Sequence, residues 1–532
     1  MTMESAGKWT IRTYKRTARG STSLMAMLFL SMFSVLAISF ASLTETNVQM
    51  AQNHRSVTAA QAAAESGLEY AQYLLTSFEE DLGPSTYFGK ITKDDTYNVF
   101  DLLSTYVGSS LAKSGILNST GDGQSSASIS IRSISDGSQT GKELYVPALS
   151  YAAGGSASFS LQFRQFDDDP FSLQIISIGN NSGISRSVGL NYTITVDKSI
   201  LEYGVASRSR VIITGDSTIN SDVFTAWDHP ELGSPVEMDA ASTIAGSVNT
   251  VLSEGDFPVD DINGTYEEIN YNQPDMVGLM ASDFDTSMYL NKCNNLSSSG
   301  TTLTEYFPHA AGDYTKPADA GSAKLSRQVY EKLTITNRNM PTGRNALFRN
   351  CVFEGVFYLG SGGGFGTNNL RFENCTFNGI IVTAPADTFA METWKKNVLY
   401  FTGSSYFNNR SAYQEATILA PNFNVNIGDT KTYNDGTESV LKGVVLGGVV
   451  DIRGNARVEG TIISMAYPDP DSNWTSAAGK IATNIGYSAE NTEAGLAAGG
   501  KIVISPDPDG QMPMGVKARI IIARDAESYV EY

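Results

Sequence analysis

Few residues of this chain combine the side-chain types and the spacing that catalysis or metal binding requires. The three histidines, His54, His229 and His309, lie far apart, and no recognisable motif surrounds the last two. Sequence spacing leaves a Ser-His-Asp or Cys-His site open, because such groups meet only in the fold, but nothing points to one. The three cysteines form no CxxC pair, so we expect no zinc site, no other metal and no cofactor.

One carboxylate and two guanidinium groups in a glycine-containing stretch are the strongest catalytic candidates. Asp451, Arg453 and Arg457 lie close together in sequence, and acidic and cationic groups that converge in a cleft could cleave a polysaccharide. Charged side chains that point outward from a strand are the more ordinary explanation, because charged residues are mostly exposed. We therefore expect no enzyme.

Two further segments have only part of a ligand-binding motif. Gly360–Gly366 is glycine-rich, but a strand is expected after it, where a phosphate-binding loop needs a helix N-terminus. Asp507–Gly510 has the acids and the glycine of a calcium loop, but the last ligand position falls on Val516, where an acidic ligand is wanted. Asp469 lies in a similar Pro-Asp run. We expect a flexible loop at the first segment and rigid turns at the other two.

The elements that must position these residues begin with a basic leader and an apolar stretch. The leader residues with charged side chains are Lys8, Arg12, Lys15, Arg16 and Arg19, against Glu4. Leu24–Leu43 carries no charge, and a helix of that length is roughly 30 Å long, enough to cross the apolar core of a bilayer. The positive side is expected to stay in the cytoplasm, so the chain after Leu43 should lie outside it.

Three interpretations of this segment stay open. It could be a secretory signal cut before Ser42, an uncleaved anchor, or a leader cut after Gly20 that leaves the apolar helix as the new N-terminus. The stretch is longer than the ~7–15 apolar residues of a secretory signal, whereas length and charge do not separate the other two. The side chains expected in the membrane are Leu24, Leu28, Phe29, Leu30, Phe33, Val35, Leu36, Ile38, Phe40 and Leu43.

The sequence after the apolar stretch predicts that the helix continues without a break. Val48–Phe78 contains no proline and is rich in alanine, which is a strong helix former. Gly83 and Pro84 predict the end of the helix, which would therefore span Ser21–Leu82. The apolar side chains that share a face at helical spacing are Leu68, Ala71 and Leu75, and also Leu74 and Phe78.

Gly20-Ser21, the apolar stretch and the motif AAESGL together resemble the N-terminal segment of PilX-like minor pilins. The motif residues are Ala63, Ala64, Glu65, Ser66, Gly67 and Leu68. The resemblance covers roughly residues 8–82 and implies that a prepilin peptidase cuts after Gly20. It also implies assembly with other pilin-like subunits by the pilus assembly machinery. Major pilins carry a glutamate five residues after the cut, where this chain has Met25, so the resemblance favours a minor, priming or tip subunit.

The charge of the rest of the chain argues against binding to nucleic acid. The net charge is −19, and the leader holds five basic residues and one acid, so the residues after Gly20 carry −23. Such an acidic chain repels a phosphate backbone. Abundant glycine (49 residues) and few charged residues (17%) are typical of turn-rich β structure outside the cell.

Residues 83–200 predict a small head that resembles a pilin head, with one helix and an antiparallel sheet. The helix is expected near Val99–Leu111. Phe159, Leu161 and Phe163 alternate with polar residues, as in a half-buried strand. Ser177–Val196 predicts a hairpin with the turn Gly-Asn-Asn-Ser-Gly. We expect this sheet to pack on the upper part of the long helix.

An internal repeat predicts the architecture of the C-terminal region. Phe348–Gly355 returns as Phe372–Gly379, with an offset of 24 residues at every matched position. This period is typical of one turn of a parallel β-solenoid, with Asn350 and Asn374 stacked at a corner. The side chains expected to point inward are Cys351, Cys375, Phe353 and Phe377. The two cysteines would lie on adjacent strands about 5 Å apart, which allows either a disulfide or a buried reduced pair.

Together these elements predict an α+β chain with a long N-terminal transmembrane pilin-type helix, a small antiparallel β region and a mainly β, parallel solenoid. The expected segments are a leader (1–20), the membrane and stem helix (21–82), the head (83–200), an irregular β region with a long insertion and a helical piece around Pro274–Leu290 (201–345), and the solenoid (346–532). The last strands, in Lys501–Gly510 and Lys517–Asp525, are expected to cap the solenoid.

These expectations lead to one main functional hypothesis. The chain would be a non-enzymatic minor pilin-like subunit, a single-pass protein of the inner membrane with a cytoplasmic N-terminus. It would then move into a type IV pilus or related fibre at the cell surface. Its solenoid would serve assembly priming, adhesion or contact with a surface or polysaccharide ligand. A membrane-anchored or secreted solenoid that binds or cleaves polysaccharide is the alternative, and a periplasmic scaffold that never polymerises is a third hypothesis.

Overall fold

The computed structural model confirms the α+β class: a long N-terminal helix is followed by a mostly β chain with antiparallel and parallel strands. The residues that the structure describes are 18–82, 87–89, 91–113, 129–136, 139–150, 156–274, 284–298, 300–306, 324–340, 345–360, 369–384, 397–408, 413, 415–430, 440–452, 454–467, 482–486 and 501–532. The leader residues 1–17 therefore lie outside the described residues.

The chain divides into two compact units, each made of separate stretches. The first unit takes in the chain up to Leu74, Ser104–Tyr192 and Arg524–Tyr532. The second takes in Leu75–Leu103 and Thr193–Ala523. Most of the long helix and most of the antiparallel strands thus belong to the first unit, and the parallel strands belong to the second.

Three α-helices are described: α1 (Ala18–Leu82), α2 (Lys93–Lys113) and α3 (Ser287–Leu290). Three short 3₁₀ helices lie at Ser199–Glu202, Pro230–Leu232 and Val259–Asp261. α1 begins at Ala18, three residues before the predicted start, and ends at Leu82, as expected, while Gly83 and Pro84 lie outside the described residues. α2 covers the helix predicted near Val99–Leu111. The helical piece expected around Pro274–Leu290 is described only as the single turn α3, because residues 275–283 lie outside the described residues.

Thirty strands are described. In chain order they are β1 (Tyr87–Phe88), β2 (Ser130–Asp136), β3 (Gln139–Ser150), β4 (Ala157–Phe166), β5 (Ser172–Asn181), β6 (Ile184–Val196), β7 (Tyr203–Ser207), β8 (Arg210–Ile213), β9 (Thr218–Ile219), β10 (Asp222–Thr225), β11 (Val236–Met238), β12 (Thr243–Ile244), β13 (Val248–Thr250), β14 (Ile269–Asn270), β15 (Asn294–Asn295), β16 (Thr301–Tyr306), β17 (Lys324–Glu331), β18 (Thr334–Met340), β19 (Asn345–Arg349), β20 (Val352–Leu359), β21 (Asn369–Glu373), β22 (Thr376–Thr383), β23 (Val398–Phe407), β24 (Ala416–Thr430), β25 (Val440–Ile452), β26 (Ala456–Ser464), β27 (Ala482–Ile485), β28 (Ile502–Ser505), β29 (Lys517–Ala518) and β30 (Ile520–Glu531).

Six of these strands form one antiparallel sheet in the spatial order β2-β3-β4-β5-β6-β30. Phe159, Leu161 and Phe163 on β4 are buried and alternate with partly exposed residues, as predicted. β5 and β6 form the predicted hairpin, but the turn consists only of Ser182 and Gly183, with φ of 52° and 82°. Positive φ at both central residues is the turn geometry that suits the twist of a two-residue hairpin.

The C-terminal strands do not cap a solenoid, so that expectation is wrong. β28 lies inside the parallel sheet, between β26 and β9, and β30 joins the antiparallel sheet beside β6. The Tyr532 N–H donates to the Ser187 carbonyl (2.9 Å), and the Asp197 N–H donates to the Arg519 carbonyl (2.7 Å). All the parallel strands are therefore an insertion between two neighbouring strands of one sheet.

The strands β7–β28 form one sheet, which we call the parallel stack. Its described pairs are parallel except for β16 with β17. The predicted 24-residue offset is confirmed by the register, because Phe348 lies opposite Phe372 and Phe353 lies opposite Phe377. Asn350 and Asn374 take φ of 50° and 54° after β19 and β21, a left-handed conformation that asparagine adopts more readily than most residues.

Aromatic side chains fill the interior of this stack in two rows. The first row is Tyr330, Phe348, Phe372 and Phe401, whose successive rings are stacked at 4.9, 5.2 and 4.9 Å. The second row is Phe353, Phe377 and Phe407, whose successive rings are stacked at 5.0 Å. Because each row joins successive turns of the chain, the aromatic residues hold the parallel strands in register.

Strands before position 345 pair with strands after it, although the sequence predicts a boundary between two segments there. β17 pairs with β19 and β18 pairs with β20. The strands before that position also form regular turns: Val211 lies opposite Val236, and Thr218 lies opposite Thr243. The matching sequences Ser-Thr-Ile at 217–219 and 242–244 are the signal of this earlier repeat.

Candidate assembly site on the N-terminal helix

The apolar half of α1 is exposed all round. Every residue from Ser21 to Arg55 is exposed, including Phe33 and Ile38, each at 69%. The span Ser21–Leu82 contains an 18-residue window with a mean hydropathy of 2.3 and no buried residue. A helix that is apolar on all faces needs an apolar surrounding, so this half is long and apolar enough to cross a membrane.

Several hydroxyl groups in this half are satisfied within the helix itself. Each donates to a carbonyl three or four residues earlier: Ser31 to Leu28 (2.9 Å), Ser34 to Leu30 (2.7 Å), Ser39 to Val35 (2.8 Å) and Thr44 to Phe40 (2.8 Å). In hydrocarbon an unsatisfied polar group costs several kcal/mol. These local bonds therefore make the serines and threonines compatible with a lipid environment.

The other half of α1 buries a stripe of small residues. Within the first unit the buried positions are Ala60, Ala63, Ala64, Gly67, Leu68, Ala71 and Leu74. Their spacing of three and four residues keeps them on one face of the helix. Glu65 and Glu69 lie on the exposed face. α1 thus changes from fully exposed to half-buried within about two turns after Arg55.

Two glycines let the helix and the sheet approach closely, Gly179 against backbone atoms of the helix and Gly67 against side chains of the sheet. A Cβ atom on Gly179 in β5 would lie 2.0 Å from the Ala60 carbonyl oxygen and 2.4 Å from the Ala64 nitrogen. A Cβ atom on Gly67 would lie 2.2 Å from Ser177 Oγ. A Cβ atom at either position would overlap its neighbours, and at Gly179 those neighbours are helix backbone atoms, so glycine permits this close contact. The expected packing of the sheet on the upper helix is confirmed.

Tyrosine rings surround this contact. The Tyr70 ring centroid lies 6.1 Å from that of Phe159 and 6.3 Å from that of Tyr73. Burial raises the pKa of the Tyr70 phenol, and the neighbouring phenols of Tyr73 and Tyr106 raise it further. The phenol therefore stays neutral and adds no charge beside the apolar stripe.

Gly67→Ala should lower the stability of the first unit, although alanine is the better helix former. Its Cβ would overlap Ser177 Oγ and lie 2.8 Å from Phe159 Cδ2. This overlap is expected to cost about 1–3 kcal/mol, which exceeds the ~1 kcal/mol that alanine gains over glycine in a helix. Thermal unfolding followed by circular dichroism measures the difference.

Gly108→Ala in α2 is the matched control. Among the described residues, no atom lies within 4 Å of its Cβ position, so this helical glycine should gain up to ~1 kcal/mol on substitution. If the Gly67 and Gly108 variants melt at the same temperature, Gly67 does not make the close contact described above.

The residues named from the resemblance to pilins all lie on α1, and their roles stay predictions. The Gly20-Ser21 bond lies in the first turn of α1, and cleavage there stays a prediction. Within the motif AAESGL, Ala63, Ala64, Gly67 and Leu68 are buried, Glu65 is exposed and Ser66 is half-buried. The motif therefore lies where the helix meets the sheet.

The structure describes all three cysteines as free thiols, with Cys351 and Cys375 inside the parallel stack. Cys351 and Cys375 are buried on successive turns, and their thiols donate to the carbonyls of Tyr330 and Phe348, each at 3.4 Å. The hydrogen bond with Cys351 and burial raise the pKa of the Cys375 thiol. A disulfide between them stays a prediction. Burial raises the pKa of the half-buried Cys293 thiol to about 11.

The catalytic candidates are not arranged as an exposed charged cluster. Asp451 is fully buried, and the Asn484 amide donates to it, so the expectation that it is an outward, exposed charge is wrong. The residues at matching positions of neighbouring strands enclose it. Arg457 pairs with Glu459 at 3.0 Å, and Arg453 lies outside the described residues.

The remaining motifs also show no metal site in the described part of the chain. There, no group of three or more His, Cys, Asp and Glu side chains could hold a metal ion. Asp507–Gly510 is the predicted tight turn, with the Gly510 N–H donating to the Asp507 carbonyl (2.9 Å). His54 is exposed on α1 and His229 lies 3.0 Å from Glu231. His309, Asp469 and residues 361–366 lie outside the described residues.

Comparisons with known proteins add little to this geometry. No protein-family model matches the chain, and no curated protein sequence matches it. The crystal structure of the competence-associated pilin ComZ from Thermus thermophilus aligns with 90% of this chain and 98% of its own, at 11% identity. The TM-score is only 0.29, so this alignment supports no conclusion about fold or function.

Sequence reasoning missed Gly179, which is central to the helix–sheet contact. The sequence predicts Gly179 in the hairpin turn, but the residue lies inside β5, two residues before the strand ends. A glycine within a strand often marks a close approach of another backbone. The alternation of Ile176, Ile178 and Asn180 around Ser177 and Gly179 was the available signal.

Proposed function

We propose that this protein is a minor pilin-like subunit, held in the membrane by α1 and then assembled into a type IV pilus or a related fibre. The proposal rests on the difference in environment between the two halves of α1. Its first half, Ser21–Arg55, is exposed and mostly apolar, while its second half is packed on an antiparallel sheet. A helix built in this way can leave a bilayer for another apolar surrounding without refolding.

The same helix suits contact with other pilin-like subunits. Its apolar half carries small residues such as Ala26, Ala37 and Ala41 among larger ones, and small residues let helices approach closely in an apolar surrounding. The pilus assembly machinery and a prepilin peptidase acting at Gly20 are the further partners. The bulk of the chain would then lie outside the inner membrane, and finally at the cell surface.

The parallel stack would be the displayed part of the subunit. We infer that it is a β-solenoid that serves assembly priming, adhesion or surface contact. Met25 stands in place of the glutamate of major pilins. This favours a PilX-like minor or tip subunit over the major subunit that repeats along the fibre. No catalytic role is proposed, because its strongest candidate, Asp451, is buried and hydrogen-bonded.

Mass spectrometry of the mature N-terminus, on protein from native cells, tests this function. A chain that starts at Ser21 is the expected result. A start at Ser42 would identify a secreted protein, and an intact leader would identify a simple anchor; either result contradicts the proposal.

Gly20→Val should abolish processing completely and leave the precursor in the membrane. The matched control is Gly7→Val, which changes a leader glycine away from the cleavage point and should be processed normally. Fibres sheared from the cells should contain the Gly7 variant and lack the Gly20 variant. Equal recovery of both variants in the fibre fraction would contradict cleavage after Gly20.

A further inference from the structure

The parallel stack is closed by strands from opposite ends of its own sequence. One column of paired strands runs in space as β14-β13-β10-β7-β26-β25-β24-β22-β20-β18-β15. The chain therefore enters the column at β7, in the middle, and runs outward to β14 at one end. It continues from β15 at the other end and returns to β26, beside β7.

This order divides the stack into two parts. We call residues 203–270 the N-terminal sub-stack, residues 294–505 the C-terminal sub-stack, and the boundary between them the seam. Strands β7, β8 and β9 form one side of the seam, and β26, β27 and β28 form the other. The seam lies wholly within the second unit.

Backbone hydrogen bonds join the two sides of the seam, but the strands that pair across it are short. Its backbone hydrogen bonds join the N–H of Arg208 to the carbonyl of Ser464 (2.9 Å), Thr214 to Ile485 (2.8 Å) and Asn220 to Ile504 (2.8 Å). The strands on the N-terminal side have only five, four and two residues. Elsewhere in the stack, β20 and β22 pair over eight residues each. The seam therefore pairs over three, four and two residues, fewer than the five and eight of a turn in the C-terminal sub-stack and about as many as the four, three and two of a turn in the N-terminal sub-stack.

The interior of the seam also lacks the aromatic rows of the rest of the stack. The buried side chains that face each other there are Val205, Ile213 and Ile219 on one side and Ile462, Ile485 and Ile504 on the other. The stacked rings from Tyr330 to Phe407 all lie in the C-terminal sub-stack. Large aromatic side chains bury more area and add stacking energy, so the C-terminal sub-stack has the stronger internal contacts.

Within the parallel stack, the seam joins residues far apart in sequence, so it should form late in folding. Phe348 and Phe372 pair over 24 residues, whereas Ser207 and Ser464 pair over 257 residues. Closing the longer loop costs more chain entropy, and contacts between distant residues form late in folding. In a stack whose turns contact only their neighbours, each boundary contributes its own free energy.

We propose that the N-terminal and C-terminal sub-stacks each fold and unfold cooperatively, and that the parallel stack opens reversibly at the seam between them. The N-terminal sub-stack undocks and loses its order, while the C-terminal sub-stack stays folded. The seam is therefore a conformational device of the fold that does not depend on membrane insertion or on fibre assembly.

Hydrogen exchange measured by mass spectrometry, on the full-length protein in detergent micelles, tests this opening. Peptides from 203–225 and 236–250 should exchange together, and about tenfold or more faster than peptides from 345–359 and 369–383. Equal protection of the two sub-stacks, or faster exchange in the C-terminal one, would overturn the proposal.

A cysteine pair across the seam gives a second test. The Ser207 and Thr483 hydroxyl oxygens lie 3.2 Å apart, so Ser207→Cys with Thr483→Cys places two thiols face to face. When oxidised, the pair should slow exchange in 203–225 about tenfold, and when reduced it should restore the exchange of the original protein. An oxidised pair with unchanged exchange would show that opening occurs elsewhere. If the double variant does not fold, the exchange pattern of the unchanged protein decides the question.

Discussion

Phe372→Ala is expected to destabilise the parallel stack by about 3–5 kcal/mol, the largest loss that any single truncation described here should cause. Phe372 is fully buried on β21. Its ring stacks on Phe348 at 5.2 Å and on Phe401 at 4.9 Å, and it meets Phe353 and Phe377 edge-on at 5.4 Å each. Alanine would remove these four ring contacts at once and leave a cavity between successive turns, because the backbone there cannot collapse without breaking the register.

Urea unfolding of the full-length protein, followed by near-ultraviolet circular dichroism, measures this loss. Leu333→Ala is the control, since Leu333 is an exposed apolar side chain of the same stack (44%) and its truncation should change stability by no more than about 0.5 kcal/mol. If the two variants unfold at the same urea concentration, the aromatic row is not the main source of stability in the stack.

Gly179→Ala is expected to have the second largest effect, in the first unit. Its Cβ would overlap the backbone of α1, 2.0 Å from the Ala60 oxygen and 2.4 Å from the Ala64 nitrogen. Backbone atoms of a helix cannot turn aside as a side chain can, so the sheet must move away from the helix. We expect a loss of about 3 kcal/mol and loss of contact along the small-residue stripe.

Limited proteolysis and thermal unfolding of the detergent-solubilised protein measure this change. The Gly179 variant should be cut within 56–74 of α1 under conditions in which the Gly108→Ala variant stays intact. Fibre recovery from cells should fall for the Gly179 variant alone. A Gly179 variant with unchanged melting and unchanged protease resistance would mean that the helix and the sheet do not meet at this residue.

Several elements could be predicted from the sequence because their causes are local. The length of α1 follows from the absence of proline and from alanine content. The residues predicted to share helix faces, Leu68, Ala71 and Leu75 and also Leu74 and Phe78, are all buried. The alternation in β4 and the hairpin between β5 and β6 likewise depend on residues close together in sequence. The register of Phe348 with Phe372 follows from a repeat of only 24 residues.

The features that the sequence did not reveal depend on contacts between distant residues. Asp451 is buried by neighbouring strands rather than exposed, and Gly179 lies in a strand because the helix backbone approaches it there. No local pattern predicts the burial of Asp451, and the alternation around Gly179 indicates a strand but not which element packs against it. Only packing against another element decides whether such a side chain is buried or whether such a glycine can be replaced.

The sequence by itself determined the long apolar helix, the α+β class and the repeating parallel strands, because helical periodicity, composition and a short repeat act over a few tens of residues. The tertiary structure alone decided the order of the turns in space and the strand that completes the antiparallel sheet. β7 lies beside β26, and β6 lies beside β30, although hundreds of residues separate the two strands of each pair in sequence. Backbone hydrogen bonds carry no sequence code for their partner, so these pairings arise only when the assembled strands bury their apolar faces together.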